Sequence, residues 1–133
     1  MKENSAKDPA GHVKLSVNDF QKSKSFYSRL FTLLGFPPIA DKEKSAGWVT
    51  KEGFGIWIAQ AEFLDPHHTF KAPGFHHLCL KAKSEREVDA IYESLKNEAV
   101  IFAAPAKHPK YTEKYYAFTF ADPDGMKLEI AYY

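Results

Sequence analysis

Two stretches of this chain repeat one another at a constant offset of 65 residues, and that repeat limits the possible folds more than any other feature. His12 falls on His77, Leu15 on Leu80, Tyr27 on Tyr92 and Leu30 on Leu95. The identities coincide with the same inward and outward alternation, the same cap position and the same helical stripe. Near the end of each half, GIWIAQ (55–60) matches KLEIAY (127–132) in the same role, at an offset of 72. Such a chain is two tandem copies of one supersecondary unit. At 133 residues, the pair is expected to form a single domain.

Each copy reads as a strand, a helix and further strands. In HVKLSV (12–17), Val13, Leu15 and Val17 point one way while His12, Lys14 and Ser16 point the other. Asn18 and Asp19 supply an N-cap to a helix with the stripe Phe20, Phe26, Tyr27, Leu30, Phe31 and Leu34. Gly35 is its expected stop, and Pro37 and Pro38 forbid continuation. Strands are predicted over 46–50 and 55–60 about a Glu52-Gly53 turn, with a weak edge strand at 38–40. Residues 61–74, with two prolines and a glycine, read as the connection between modules of approximately 11–60 and 75–133.

The pattern then restarts. HLCLKA (77–82) alternates like the first strand, and Ser84 with Glu87 forms a capping box ahead of Val88, Ile91, Tyr92 and Leu95. A short strand fits 100–103, and strands over 115–120 and 127–132 flank a turn at Asp122-Pro123-Asp124-Gly125. The reading is an α+β fold of two tandem βαβββ modules.

Composition narrows the function classes. Eighteen basic and 17 acidic residues are interleaved, without the basic face of a nucleic-acid binder. No apolar run approaches a bilayer span, and the polar MKENSAKDPAG start lacks the apolar core of a secretory signal, reading instead as a short flexible arm. The one cysteine, Cys79, cannot form an internal disulfide, which fits a cytoplasmic protein. Eleven Phe, 7 Tyr and 2 Trp suit strands and a concave ligand-lining face. There is no glycine-rich phosphate loop, nucleophile elbow or paired-cysteine zinc motif.

GHVKLSV, the FY–L helix, FHHLCL and YYAFTFADPDGMKLEI together resemble the vicinal oxygen chelate superfamily. Its members include glyoxalase I, extradiol dioxygenases, fosfomycin-resistance enzymes and bleomycin-resistance proteins. The resemblance runs from Gly11 to Tyr133, and DPDGMKLE is its most specific phrase. It implies a cupped mixed sheet with helices on the outside and a divalent metal on the floor of the cup. Carried over by position, the ligands are His12, His77 and Glu129. The carboxylate that completes the glyoxalase I set falls at Trp57, which can neither bind a metal nor act as a base. A standard four-ligand glyoxalase I is therefore not expected. The tyrosine of the extradiol dioxygenase signature is replaced by Thr119.

Two imidazoles and a carboxylate suit Fe, Zn, Ni or Mn. Alternation turns His12, His77 and Glu129 away from their apolar neighbours, and a buried Glu is costly without a cation or a hydrogen-bond donor. Lys14, on the face of His12, is a candidate anchor for an anionic substrate. Trp57, Phe54 and Phe118 are candidates to line the cup. His108 and Tyr115, in a cluster with Tyr111 and Tyr116, are the candidate catalytic proton carriers. His76 should point away from His77 in a regular strand and reads as structural. His67 and His68 read as exposed loop residues, and Cys79 as a buried inert thiol.

Two functions fit. One is a metal-dependent enzyme that chelates adjacent oxygens of a small substrate, with lyase, isomerase or dioxygenase chemistry. The other is a non-catalytic small-molecule binder resembling bleomycin-resistance proteins. Both imply a homodimer with neither nucleic-acid nor membrane partners.

Overall fold

The computed structural model describes residues 7–65 and 67–133. Two compact units, Met1–Asp65 and Pro66–Tyr133, divide within the 61–74 stretch. Residues 1–6 of the expected N-terminal arm lie outside the described residues. Its remainder is tethered, because the Lys7 and Asp8 amides both donate to the Glu52 carbonyl, at 2.8 and 2.9 Å.

The first unit runs β1 (His12–Val17), α1 (Phe20–Leu34), β2 (Pro38–Asp41), β3 (Ser45–Val49) and β4 (Gly55–Gln60). Its sheet has the order β1-β4-β3-β2, with β1 and β4 parallel and the other pairs antiparallel. Asp19 caps α1 by accepting from the Lys22 amide, and Gly35 ends it at φ 77°, a left-handed conformation natural to glycine. Tyr27, Leu30, Phe31 and Leu34 bury the helix stripe against Ile56, Ile58 and Trp48. The Phe31 and Trp48 rings meet at 5.0 Å.

The second unit repeats this plan with β5 (Leu78–Lys81), α2 (Glu85–Leu95), β6 (Ile101–Lys107), β7 (Tyr116–Ala121) and β8 (Lys127–Tyr132). Its order, β5-β8-β7-β6, is the same permutation. The registers agree as well: Leu15 pairs with Ile58 in the first unit and Leu80 with Ile130 in the second. Ser84 caps α2 through the Glu87 amide. The Glu87 carboxylate reaches the Lys83 amide rather than that of Ser84, a loosened capping box. Two tandem βαβββ modules of the α+β class are therefore present.

Five elements depart from expectation, two of them by a shift of one residue: β3 at 45–49 against 46–50, and β7 at 116–121 against 115–120. β5 starts at Leu78, so His77 lies just outside the ladder. β6 extends to Lys107 rather than ending near 103, with irregular pairing between Ala103 and Ala106. Pro105 falls in that irregular stretch, where a residue without an amide hydrogen is tolerated on an edge strand. β2 is a true edge strand reaching Asp41.

Candidate functional site

In the second unit, one face of the sheet packs on α2 and the other gathers polar groups. Leu128 and Ile130 are fully buried on the helix side, and alternation turns Glu129 to the opposite face, beside Cys79 on β5 and Thr119 on β7. Glu129 is only 8% exposed, yet both its oxygens have partners. Tyr115 donates its hydroxyl to Oε2 at 2.6 Å, and His77 Nε2 lies 3.1 Å from Oε1. The other nitrogen of His77, Nδ1, is 2.7 Å from His76 Nδ1. A chain of polar contacts thus runs Tyr115–Glu129–His77–His76, from a half-buried phenol to an exposed imidazole.

His76 corrects the expectation that it points away. Residues 76 and 77 precede the ladder, so strand alternation does not govern them, and their rings meet at 4.9 Å. Tyr115 is held in place by stacking on Tyr133 at 4.6 Å, whose ring also carries the Lys81 ammonium at 4.1 Å. Burial, and then the hydrogen bond to Glu129, raise the Tyr115 pKa well above the ordinary phenol value. At neutral pH it is a donor, not a base. Burial and the adjacent Glu129 carboxylate also push the Cys79 thiol up to about 12, so it stays protonated and unreactive.

His108 is half-buried in the loop between β6 and β7. Its amide donates to the Tyr115 carbonyl at 2.8 Å, and its ring stacks on Tyr111 at 5.6 Å. Tyr116 points elsewhere, donating to Asp89 of α2 at 2.6 Å. Phe118 must also be moved. It is 1% exposed and packs edge-on against Tyr92 of α2 at 5.4 Å, on the helix side with Ile130. Two residues of an antiparallel pair share a face, so Phe118 cannot line the face that carries Glu129.

In the first unit, the face away from α1 carries His12 and Lys14 from β1 and Trp57 from β4. Lys14 pairs with Trp57, as Cys79 pairs with Glu129. Trp57 therefore stands in the first unit where Glu129 stands in the second. The half-buried Phe54 lies in the turn before β4, where its amide is held by the Thr50 hydroxyl at 3.0 Å.

The sequence matches the family model of the Glyoxalase/Bleomycin resistance protein/Dioxygenase superfamily over residues 10–130. The chain belongs to this superfamily. A glyoxalase candidate of Bacillus halodurans is 25% identical, with a TM-score of 0.83 and 94% of this chain and 96% of that one covered. A glyoxalase/bleomycin resistance protein of Albidiferax ferrireducens is 24% identical at a TM-score of 0.76, covering 92% of this chain and 98% of that one. A glyoxalase/dioxygenase of Nostoc punctiforme, 23% identical, covers 98% of both chains at a TM-score of 0.73. No curated protein sequence matches.

For a member of the glyoxalase/dioxygenase superfamily, the donor set is partial. His77 and Glu129 give one imidazole and one carboxylate oxygen in mutual reach, a pair that suits a divalent transition metal. Among the described residues, no group of three or more His, Cys, Asp or Glu side chains is gathered to hold a metal ion. His12, the remaining expected ligand, belongs to the first unit. Among the described residues no helix is long and apolar enough to cross a membrane.

Proposed function

We propose that this superfamily member is a metal-dependent enzyme of the vicinal oxygen chelate type, in which His77 and Glu129 hold a divalent ion with His12 as third ligand. The supporting observation is the His77 Nε2–Glu129 Oε1 approach of 3.1 Å with Tyr115 tied to the other oxygen. Ligating carboxylates and imidazoles are characteristically oriented by outer hydrogen bonds of this kind. Tyr115 would hold Glu129 so that Oε1 alone is presented. When His77 serves as a ligand through Nε2, its proton stands on Nδ1 and is donated to His76. The ion, when bound, supplies Lewis-acid polarisation of adjacent substrate oxygens.

Within this reading Tyr115 is a positioning residue, which leaves His108 as the proton carrier of its cluster. With Trp57 in place of a carboxylate, no fourth protein ligand is available at that position. His12 comes from the same chain or from a second copy in a homodimer.

Elemental analysis of protein purified without added metal or chelator tests the proposal, beside Glu129→Ala and His77→Gln. About one transition metal per chain, lost in both variants, is expected. Protein that takes up none, even after anaerobic reconstitution with Fe(II), Mn(II), Ni(II) or Zn(II), overturns it.

A further inference from the structure

Glycine inside a strand weakens it, and commonly marks a place where another group approaches the backbone closely. β3 and β4 carry two such residues on one face of the first sheet, Gly47 and Gly55, and the same side chain lies against both. A β-carbon placed on Gly47 would stand 2.7 to 2.8 Å from Cδ2, Cε2 and Cε3 of Trp57. One placed on Gly55 would meet Trp57 Nε1 at 3.3 Å and the His12 β-carbon at 3.1 Å. Gly47 is the cross-strand partner of Trp57, and Gly55 precedes it by two positions on the same face. The indole therefore lies down across two strands, in a trough that exists because both positions lack side chains.

Trp57 is not a core residue that happens to be large. Trp48, one strand over, is buried at 4% exposure and engaged with Phe31. Trp57 remains half-exposed, and among the described residues it has no ring contact with another aromatic or with a cation. Its cross-strand neighbour on the other side is Lys14, which is exposed. Among the described residues the Lys14 ammonium enters neither an ion pair nor a cation–π contact. A flat aromatic surface thus lies next to an uncommitted cation, the two held on adjacent strands.

We infer that Trp57 and Lys14 form a binding shelf for a planar, anionic ligand, an aromatic acid whose ring stacks on the indole while its carboxylate meets the Lys14 ammonium. Stacking on an indole rewards any flat π-face, and a neighbouring ammonium rewards a negative substituent. Ligands with both features are selected over those with one. The inference goes beyond the metalloenzyme reading and does not depend on it, because neither residue is a proposed metal ligand.

Titration in the presence of EDTA tests the shelf, read by tryptophan fluorescence and by calorimetry. The probes are naphthoate, its neutral counterpart naphthalenemethanol, and the saturated cyclohexanecarboxylate. Naphthoate is expected to bind saturably, about tenfold tighter than either of the others, the ratio that a stacking or charge contribution of about 1.4 kcal/mol produces. Lys14→Met should erase the preference over the alcohol, and Trp57→Leu the preference over the saturated acid. Trp48 emission reports whether each variant is folded. If Trp57→Leu does not fold, Gly47→Ala carries the test, since it keeps the indole but lifts it from the trough. Equal affinity for all three probes, no binding of naphthoate, or variants that leave both preferences intact would overturn the shelf. Naphthoate discrimination in a protein that takes up no metal retires the metalloenzyme reading alone. One metal per chain without that discrimination retires the shelf alone.

Discussion

The Glu129 carboxylate sits at 8% exposure between the His77 imidazole and the Tyr115 hydroxyl, and the nearer of them, Tyr115, comes from a loop rather than from the sheet. A hydrogen bond to an ionised group contributes more than a neutral one. Tyr115→Phe keeps the ring that stacks on Tyr133 and removes only the hydroxyl. It should lower unfolding stability by about 2 kcal/mol in urea denaturation. A loss near zero would mean that His77 alone satisfies the carboxylate. The inward placement of Glu129 was legible from its position between Leu128 and Ile130, because period-two alternation decides it. The Tyr115 contact was not, because a loop residue reaching over a strand leaves no periodic signal. His76 was not legible for a related reason: it lies two residues outside the ladder, where alternation no longer holds.

Elements whose ends carry a stereochemical mark were read from sequence to the residue. α1 begins after Asp19 and ends at Gly35, and both caps are made by the side chain or the backbone freedom expected of those residues. The turn of the final hairpin is of the same kind, although the strand before it begins at Tyr116, one residue later than expected. Asp122, only 6% exposed, accepts from the amides of Asp124 and Met126, each at 2.8 Å, and Gly125 turns at φ 83°. Asp122→Ala should destabilise the protein by about 2 kcal/mol, with much of the loss recovered in Asp122→Asn, whose side-chain oxygen can still accept. Thermal unfolding of the two variants side by side checks this. A loss that Asn does not relieve would assign the effect to charge instead of turn geometry. β6 shows the opposite case. It is an edge strand, irregularly paired and interrupted by Pro105, so neither alternation nor a terminal cap announced its extent.

Across the whole chain the two units share topology and register. In the second unit, the phenols of Tyr115, Tyr116 and Tyr133 are raised above the ordinary value. The hydrogen bond to Asp89, then burial, take Tyr116 from an ordinary 10.0 to about 12. A phenol with a raised folded-state pKa stabilises the native protein fully below its unfolded value, and loses that contribution as pH climbs through the folded one. Stability should therefore fall between pH 10 and about 12, and Tyr116→Phe should flatten that decline in denaturant titrations run across the range. An unchanged alkaline slope would place the loss elsewhere. Duplication was the most legible large-scale property, because both halves repeat one polarity pattern. What separates the halves was only partly legible: Trp57 was visible as a departure, but the trough beneath it depends on Gly47, a strand away. That trough also imposes an order on change. A side chain cannot be added at 47 while the indole lies there, and a smaller residue at 57 leaves two bare glycines facing an empty groove. Positions 47, 55 and 57 are in this sense a single mechanical unit: a change at any one of them alters the space that the other two were fitted to.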